Sequence, residues 1–183
     1  MKQIRLPKKP DSVVNALRDA ILSGQIASGT ELTQVELAES LGVSRMPVRE
    51  ALIILEYQGL VERLANQHVR VAETDRAFFT KIVSFAVDWE CCLLCQAPVE
   101  ADALSDELSF HRTLVKRCGN AFFRRMLETV TESTISYGIG CPGYDSAAGL
   151  SFLRQSCTGE NRKEILTAYF SALTDAIMEV RGE

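Results

Sequence analysis

The sequence has no run of about 18 uncharged apolar residues, so none of its segments is expected to span a membrane. The basic start "MKQIRLPKKPDS" is followed by no apolar stretch, so a secretory signal is not expected there. Histidine is scarce: His68 and His111 are the only two. That leaves too few nitrogen ligands for a tight transition-metal site. Positive charge is also short, with 20 Lys and Arg against 24 Asp and Glu, a net charge of −4 and a pI near 5.3. A protein that coats nucleic acid through bulk charge is therefore excluded. Strand-forming runs are few, only two short candidates, so the fold class should be mainly α. No Gly-rich phosphate loop is present, because "GIGCPG" follows a helical pattern and not a strand. No nucleophile–base pair stands out, which argues against an enzyme.

At 183 residues and 46% apolar composition, the chain can bury a core as one large domain or two small ones. Charge is unevenly spread. Residues 1–76 carry ten basic and ten acidic side chains, and residues 77–183 carry ten and fourteen. A neutral first half can still present a locally basic face. The six cysteines are Cys91, Cys92, Cys95, Cys118, Cys141 and Cys157. In a cytoplasmic chain they read as reduced thiols. "CCLLC" lies within a helical pattern, where the simplest reading is small buried residues. The competing reading is a redox- or metal-responsive protein that uses Cys91, Cys92 and Cys95, or Glu107 and His111.

Asp11 or Ser12 caps a first helix whose stripe is Val13, Val14, Leu17, Ala20, Ile21 and Leu22, ended by Gly24. "ASGTEL" (27–32) reads as a loop. Thr33 and Glu36 have the form of a capping box, which opens a helix at about 34–41. Gly42 breaks it, as a left-handed position after a helix requires. After "GVS", Ser44 is the N-cap of a third helix, with Pro47 tolerated in its first turn. Val48, Ala51, Leu52 and Leu55 form its buried face, to about Tyr57. Runs 60–64 and 68–72, joined by Ala65, Asn66 and Gln67, signal a hairpin. A long helix then starts at Thr74 or Asp75 and ends before Pro98. Further helices are expected at about 99–118, 121–137, 147–157 and 161–181, with a loop at 137–146. The predicted organisation is a basic arm (1–10), a winged helix-turn-helix (11–73) and an all-helical bundle (74–183).

Two short helices, a three-residue turn and a hairpin suit a module whose second helix enters a DNA major groove. Arg45 and Arg49 are one turn apart at the front of that helix and share a face. An arginine fork matches guanine O6 and N7, or a phosphate, in a bidentate way. The blander alternative is that both pair with Glu50 or Glu56 on a solvated surface.

The stretch "ELAESLGVSRMPVREALIILEYQGLVER" (36–63) resembles the DNA-binding domain of the GntR family of bacterial transcription regulators. The resemblance covers about residues 11–72. It implies a DNA-binding repressor that acts in the cytoplasm as a homodimer on a pseudo-palindromic operator. It also implies roles for single residues. Arg45 and Arg49 would read bases or phosphates, Ser44 and Met46 would make contacts nearby, and Asn66, Gln67 and His68 would form the wing tip. Thr33 and Gln34, at the start of the preceding helix, complete the DNA-binding set. Val35 stands where many members carry an arginine, and His68 where many carry a wing-tip glycine. Lys2, Arg5, Lys8 and Lys9 would add phosphate contacts from the arm.

The segment "ELSFHRTLVKRCGNAFFRRML" (107–127) resembles the FadR C-terminal (FCD) type of effector domain. There an acidic residue and a histidine four positions on, here Glu107 and His111, bind a metal with two later histidines, and the metal helps hold a carboxylate effector. No histidine lies in 147–181, so no metal cofactor is expected, and Glu107 and His111 are expected to hydrogen-bond each other. A pocket for a small-molecule effector, with a carboxylate as the implied class, is expected near Trp89, Arg112 and Tyr169. The apolar load of 78–93 and 165–178 exceeds the needs of a small bundle, which suits a subunit interface.

Overall fold

The computed structural model describes residues 11–66, 68–97 and 99–182. The basic arm, with Lys2, Arg5, Lys8 and Lys9, lies outside the described residues, as does Gln67. The chain divides into two compact units, Met1–Asp75 and Arg76–Glu183, each described here by itself.

In the first unit, helix α1 (Asp11–Leu22) turns Val13, Leu17, Ala20, Ile21 and Leu22 inward. Strand β1 (Glu31–Leu32) precedes α2 (Gln34–Leu41), and the three-residue turn 42–44 leads to α3 (Arg45–Tyr57). Strands β2 (Val61–Arg63) and β3 (Val69–Val71) form the hairpin. The sheet order is β1-β3-β2, antiparallel throughout, with Val61 opposite Val71 and Glu31 opposite Arg70. β1 corrects the expectation of a plain loop at 27–32. The core is filled by α1, by Leu37 and Leu41 of α2, by Val48, Ala51, Leu52 and Leu55 of α3, and by Val61, Val69 and Val71 of the sheet. This is a winged helix-turn-helix.

The second unit is all helical. It runs α4 (Arg76–Gln96), a 3-10 turn at Ala101–Ala103, α5 (Glu107–Arg117) and α6 (Ala121–Val130). A π-helical segment (Thr131–Ile135) joins α6 to α7 (Ser136–Ile139), and α8 (Ser146–Thr158) and α9 (Arg162–Arg181) follow. Phe110, Leu114, Leu94, Leu153, Leu166, Tyr169 and Phe170 are among its core residues. The helix expected from 99 starts instead at Glu107. The Asp106 side chain caps it, accepting from the Ser109 N–H at 2.8 Å. In the stripes at 78–93 and 165–178, Phe79, Val87, Leu93, Leu166, Tyr169, Phe170 and Leu173 are buried, whereas Phe78, Ile82, Phe85, Trp89 and Ile165 are half-buried; the fully exposed large apolar residues described in this unit, Phe122, Met126 and Val180, lie outside both stripes. Among the described residues, no helix is long and apolar enough to cross a membrane.

Candidate nucleic-acid interface

The front of α3 is set by what precedes it. Thr33 caps α2 through a complete box: its hydroxyl accepts from the Glu36 N–H, while Glu36 Oε2 accepts from the Thr33 N–H and hydroxyl. Those bonds hold the exposed Glu36 carboxyl below its usual range. Gly42 closes α2 at φ 66°, and its N–H reaches the Ala38 and Glu39 carbonyls. Glycine enters this left-handed region without the strain a Cβ brings. The chain reverses there, and α3 begins three residues later.

Ser44 is the N-cap residue of α3, but its hydroxyl makes no cap bond. It remains exposed, with Arg45, Met46 and Arg49 beside it. Val48, Ala51, Leu52 and Leu55 anchor the opposite face. One helix therefore places a buried stripe and an exposed Arg45–Arg49 edge back to back.

The cations of this unit sort sharply. Its described basic side chains are Arg18, Arg45, Arg49, Arg63 and Arg70. Arg18 pairs with Asp19 at 2.9 Å, Arg63 with Glu56 at 2.8 Å and Arg70 with Glu31 at 2.9 Å. Among the described residues, neither Arg45 nor Arg49 engages a carboxylate, and Glu56, a partner the blander reading required, is taken by Arg63. The two uncommitted guanidiniums both sit at the leading end of α3.

At the wing, the Leu64 N–H donates to the His68 carbonyl at 2.9 Å, and the His68 N–H to Asn66 Oδ1 at 3.1 Å. The Asn66 side chain thus shapes the tip, and His68 is half-buried. Gln34 opens α2 half-buried, and Val35 beside it is exposed. The Thr33 hydroxyl is committed to the cap, which makes it a structural residue first.

In the second unit, Trp89, Arg112 and Tyr169 do not converge. Trp89 stacks on Phe123 with centroids 4.1 Å apart. Arg112 is exposed and holds Glu132 through two bonds of 2.7 and 2.8 Å. Tyr169 is fully buried, its hydroxyl 2.9 Å from His111 Nε2. Glu107 and His111 do not bond each other either. Glu107 Oε2 accepts from the Tyr144 hydroxyl at 2.6 Å, and His111 Nδ1 meets Glu90 Oε1 at 2.6 Å. Nδ1 of His111 thus faces the Glu90 carboxyl and Nε2 the Tyr169 hydroxyl, so each ring nitrogen has a partner. Both imidazole nitrogens are spent inside the protein, which does not fit a metal ligand. Among the described residues, no three His, Cys, Asp or Glu side chains group as a metal site needs.

Glu90 and Tyr144 are the members that sequence reasoning missed. The available signal was positional: Glu90 follows Ala86 by four and precedes Leu93 by three, a charge within a buried stripe. Burial first, then the Glu107 bond, pushes the Tyr144 hydroxyl far up, and burial pushes Tyr169 up as well. "CCLLC" also departs from expectation: Cys92 and Cys95 are exposed and Cys91 half-buried, while Cys118, Cys141 and Cys157 are buried.

Comparison with known proteins agrees with the first unit. Residues 9–71 match the model of the bacterial regulatory proteins of the gntR family. An uncharacterised HTH-type transcriptional regulator of Mycobacterium tuberculosis is 43% identical over 54 residues, 30% of this chain and 22% of that protein. One from Agrobacterium vitis, in the TAR-I ttuE-ttuC' intergenic region, is 28% identical over 96 residues, 50% of this chain and 56% of that protein. The chain thus spans less than two thirds of the length of the curated relatives it matches. Among solved structures it is similar in fold to Lar, which controls the expression of the Listeria monocytogenes agr system and mediates virulence. The TM-score is 0.59 at 16% identity, over 94% of this chain and 98% of that one.

Proposed function

From an amino-terminal helix-turn-helix domain of the gntR family, we propose that the chain is a sequence-specific DNA-binding transcription regulator and not an enzyme. It acts in the cytoplasm, as a homodimeric repressor on a pseudo-palindromic operator. The observation that carries this reading is the selective freedom of Arg45 and Arg49. Arg18 on α1 and Arg63 and Arg70 on the wing strands are ion-paired, and among the described residues the two at the front of α3 have no carboxylate partner. Ser44 and Met46 flank them, and Asn66, Gln67 and His68 supply the wing contact.

The second unit is an FCD-like effector and dimerisation domain that works without metal, with His111 held by Glu90 and Tyr169. An effector that prefers one arrangement of the two DNA-binding units would shift the population toward or away from operator-competent spacing.

The test is selection of bound sequences from random DNA, followed by titration of the selected site with variants. Arg45→Ala and Arg49→Ala should each lose about 1–3 kcal/mol of specific binding with the fold intact. Unchanged operator affinity in both would overturn the assignment.

A further inference from the structure

DNA binding leaves the exposed sulfurs of α4 unused, and the structure distinguishes among them. Cys92 is exposed and accepts from Gln96 Nε2 at 3.3 Å, a neighbour on its own helix. Cys91 and Cys95, at i and i+4, share another face. Together they line a cleft of about 240 Å³ whose far wall is the α8–α9 connection and the first residues of α9, from Glu160 to Glu164.

A guanidinium converges on Cys95: Arg162 Nη1 donates to its sulfur at 3.7 Å. Burial first, then the neighbouring Cys95 sulfur, pushes the Cys91 thiol up. Arg162 is fixed for this contact, because Nε donates to the Ser156 carbonyl at 3.1 Å and Nη2 to that of Cys157 at 3.5 Å. The adjacent cation, Lys163, is paired with Asp88 at 2.7 Å, so Arg162 is the one aimed at sulfur. An exposed sulfur under a fixed guanidinium, with a second thiol one helical turn away in the same cleft, has the parts of an oxidisable pair.

We propose that Cys95 is a peroxide-reactive sulfur and Cys91 its resolving thiol, which makes the corner of α4 and α9 a thiol switch. The Cys95 sulfur attacks one oxygen of hydrogen peroxide and breaks the O–O bond. Cys95 becomes a sulfenic acid, and one water leaves. The Cys91 sulfur then attacks the Cys95 sulfur, and its proton departs with the hydroxyl as a second water. Overall two thiols lose two electrons and two protons, one peroxide is reduced to two waters, and one S–S bond forms.

The consequence is structural. Side chains at i and i+4 on a helix have Cβ atoms about 5–6 Å apart. A disulfide needs Cβ atoms about 3.5–4.5 Å apart. Closing the bond therefore pulls the last turns of α4 out of helical geometry. Leu93 and Leu94, which lie between the two cysteines, are both core residues. Oxidation also alters the sulfur that Arg162 Nη1 donates to, and the same guanidinium ties the end of α8 to the start of α9. The site thus connects a surface oxidation to the packing of three helices.

The test treats the full chain with hydrogen peroxide, quenches by alkylation and maps the peptides by mass. Cys92 is an internal control, exposed on the same helix with no cation bonded to it among the described residues. Cys95 should be consumed roughly tenfold faster than Cys92, with an intrachain Cys91–Cys95 link as product. In Cys91→Ser, Cys95 should stop at the sulfenic acid and be captured by a cyclic 1,3-diketone. In Arg162→Gln, the Cys95 rate should fall toward that of Cys92. Equal rates at Cys95 and Cys92 in the unmodified protein would overturn the proposal, and so would a disulfide that joins Cys92 or two chains.

Discussion

Arg63 and Arg70 carry the same charge as Arg45 and Arg49 and belong to the wing strands, yet each is held by a carboxylate, Glu56 or Glu31. Exposed pairs of this kind are worth about 0–1 kcal/mol, so their contribution to stability is small. Their larger effect is on the field, since each pair cancels a positive charge, whereas Arg45 and Arg49 have no carboxylate partner among the described residues. In the second unit the telling residues are buried. Tyr144 and Tyr169 both have hydroxyls whose protons are held more tightly in the fold than in an open chain, chiefly because of burial. A raised acid pKa stabilises the fold fully below the unfolded value. Above about pH 10 the unfolded tyrosines lose protons that the folded ones keep, so stability falls as pH rises. The limiting slope is about 1.4 kcal/mol per pH unit for each tyrosine. Urea unfolding between about pH 8 and about pH 11 should show this fall. It should be shallower in Tyr144→Phe, where one titrating group is gone; an identical slope in that variant would refute the linkage.

Elements with strong local punctuation were legible in the sequence. The Thr33–Glu36 box, Gly42 at φ 66° and the stripe Val48, Ala51, Leu52, Leu55 fix α2, the turn and α3 through interactions within a few residues. β1 was not legible. Two residues carry no periodicity, and this strand exists because Glu31 and Leu32 meet Arg70 and Val69 far along the chain. The start of α5 was misread because Ala101, Ala103 and Leu104 continue the apolar pattern, whereas the Asp106 cap decides the boundary. The π-helical segment gave no sequence cue. There the Ser133 hydroxyl donates to the Thr129 carbonyl at 2.6 Å. The candidate interface was legible because it is local to α3, whereas the His111 partners were not, since they come from α4 and α9. Gly149 shows how tertiary context reverses a local rule. In an exposed helix, glycine to alanine gains up to about 1 kcal/mol. A Cβ on Gly149 would instead collide with the Tyr144 hydroxyl and stand 2.6 Å from Glu107 Oε2. Overpacking of a buried site costs about 1–3 kcal/mol, so the clash wins. Gly149→Ala should lower the urea midpoint at unchanged slope; a higher midpoint would show that α8 shifts freely.

At the scale of the whole molecule, charge and symmetry do different work. With net charge −4, and the acidic excess confined to residues 77–183, the chain cannot gain affinity by spreading positive charge along DNA. Each phosphate neutralised contributes a slope of about −0.9 in log affinity against log salt. Among the described residues, α3 brings two unpaired arginines, Arg45 and Arg49, to such contacts in each copy. Two copies on one duplex double them, but only if both recognition helices meet the groove on the same side. Half-sites then lie about one helical turn apart, or a multiple of it. Inserting about five base pairs between the half-sites rotates one of them by about half a turn. In a gel-shift titration this should reduce binding by the full chain to that of a single half-site. Inserting a whole turn should restore part of the affinity. Equal binding at every spacing would mean that each copy reads its half-site alone, and the two-fold arrangement would have to be abandoned.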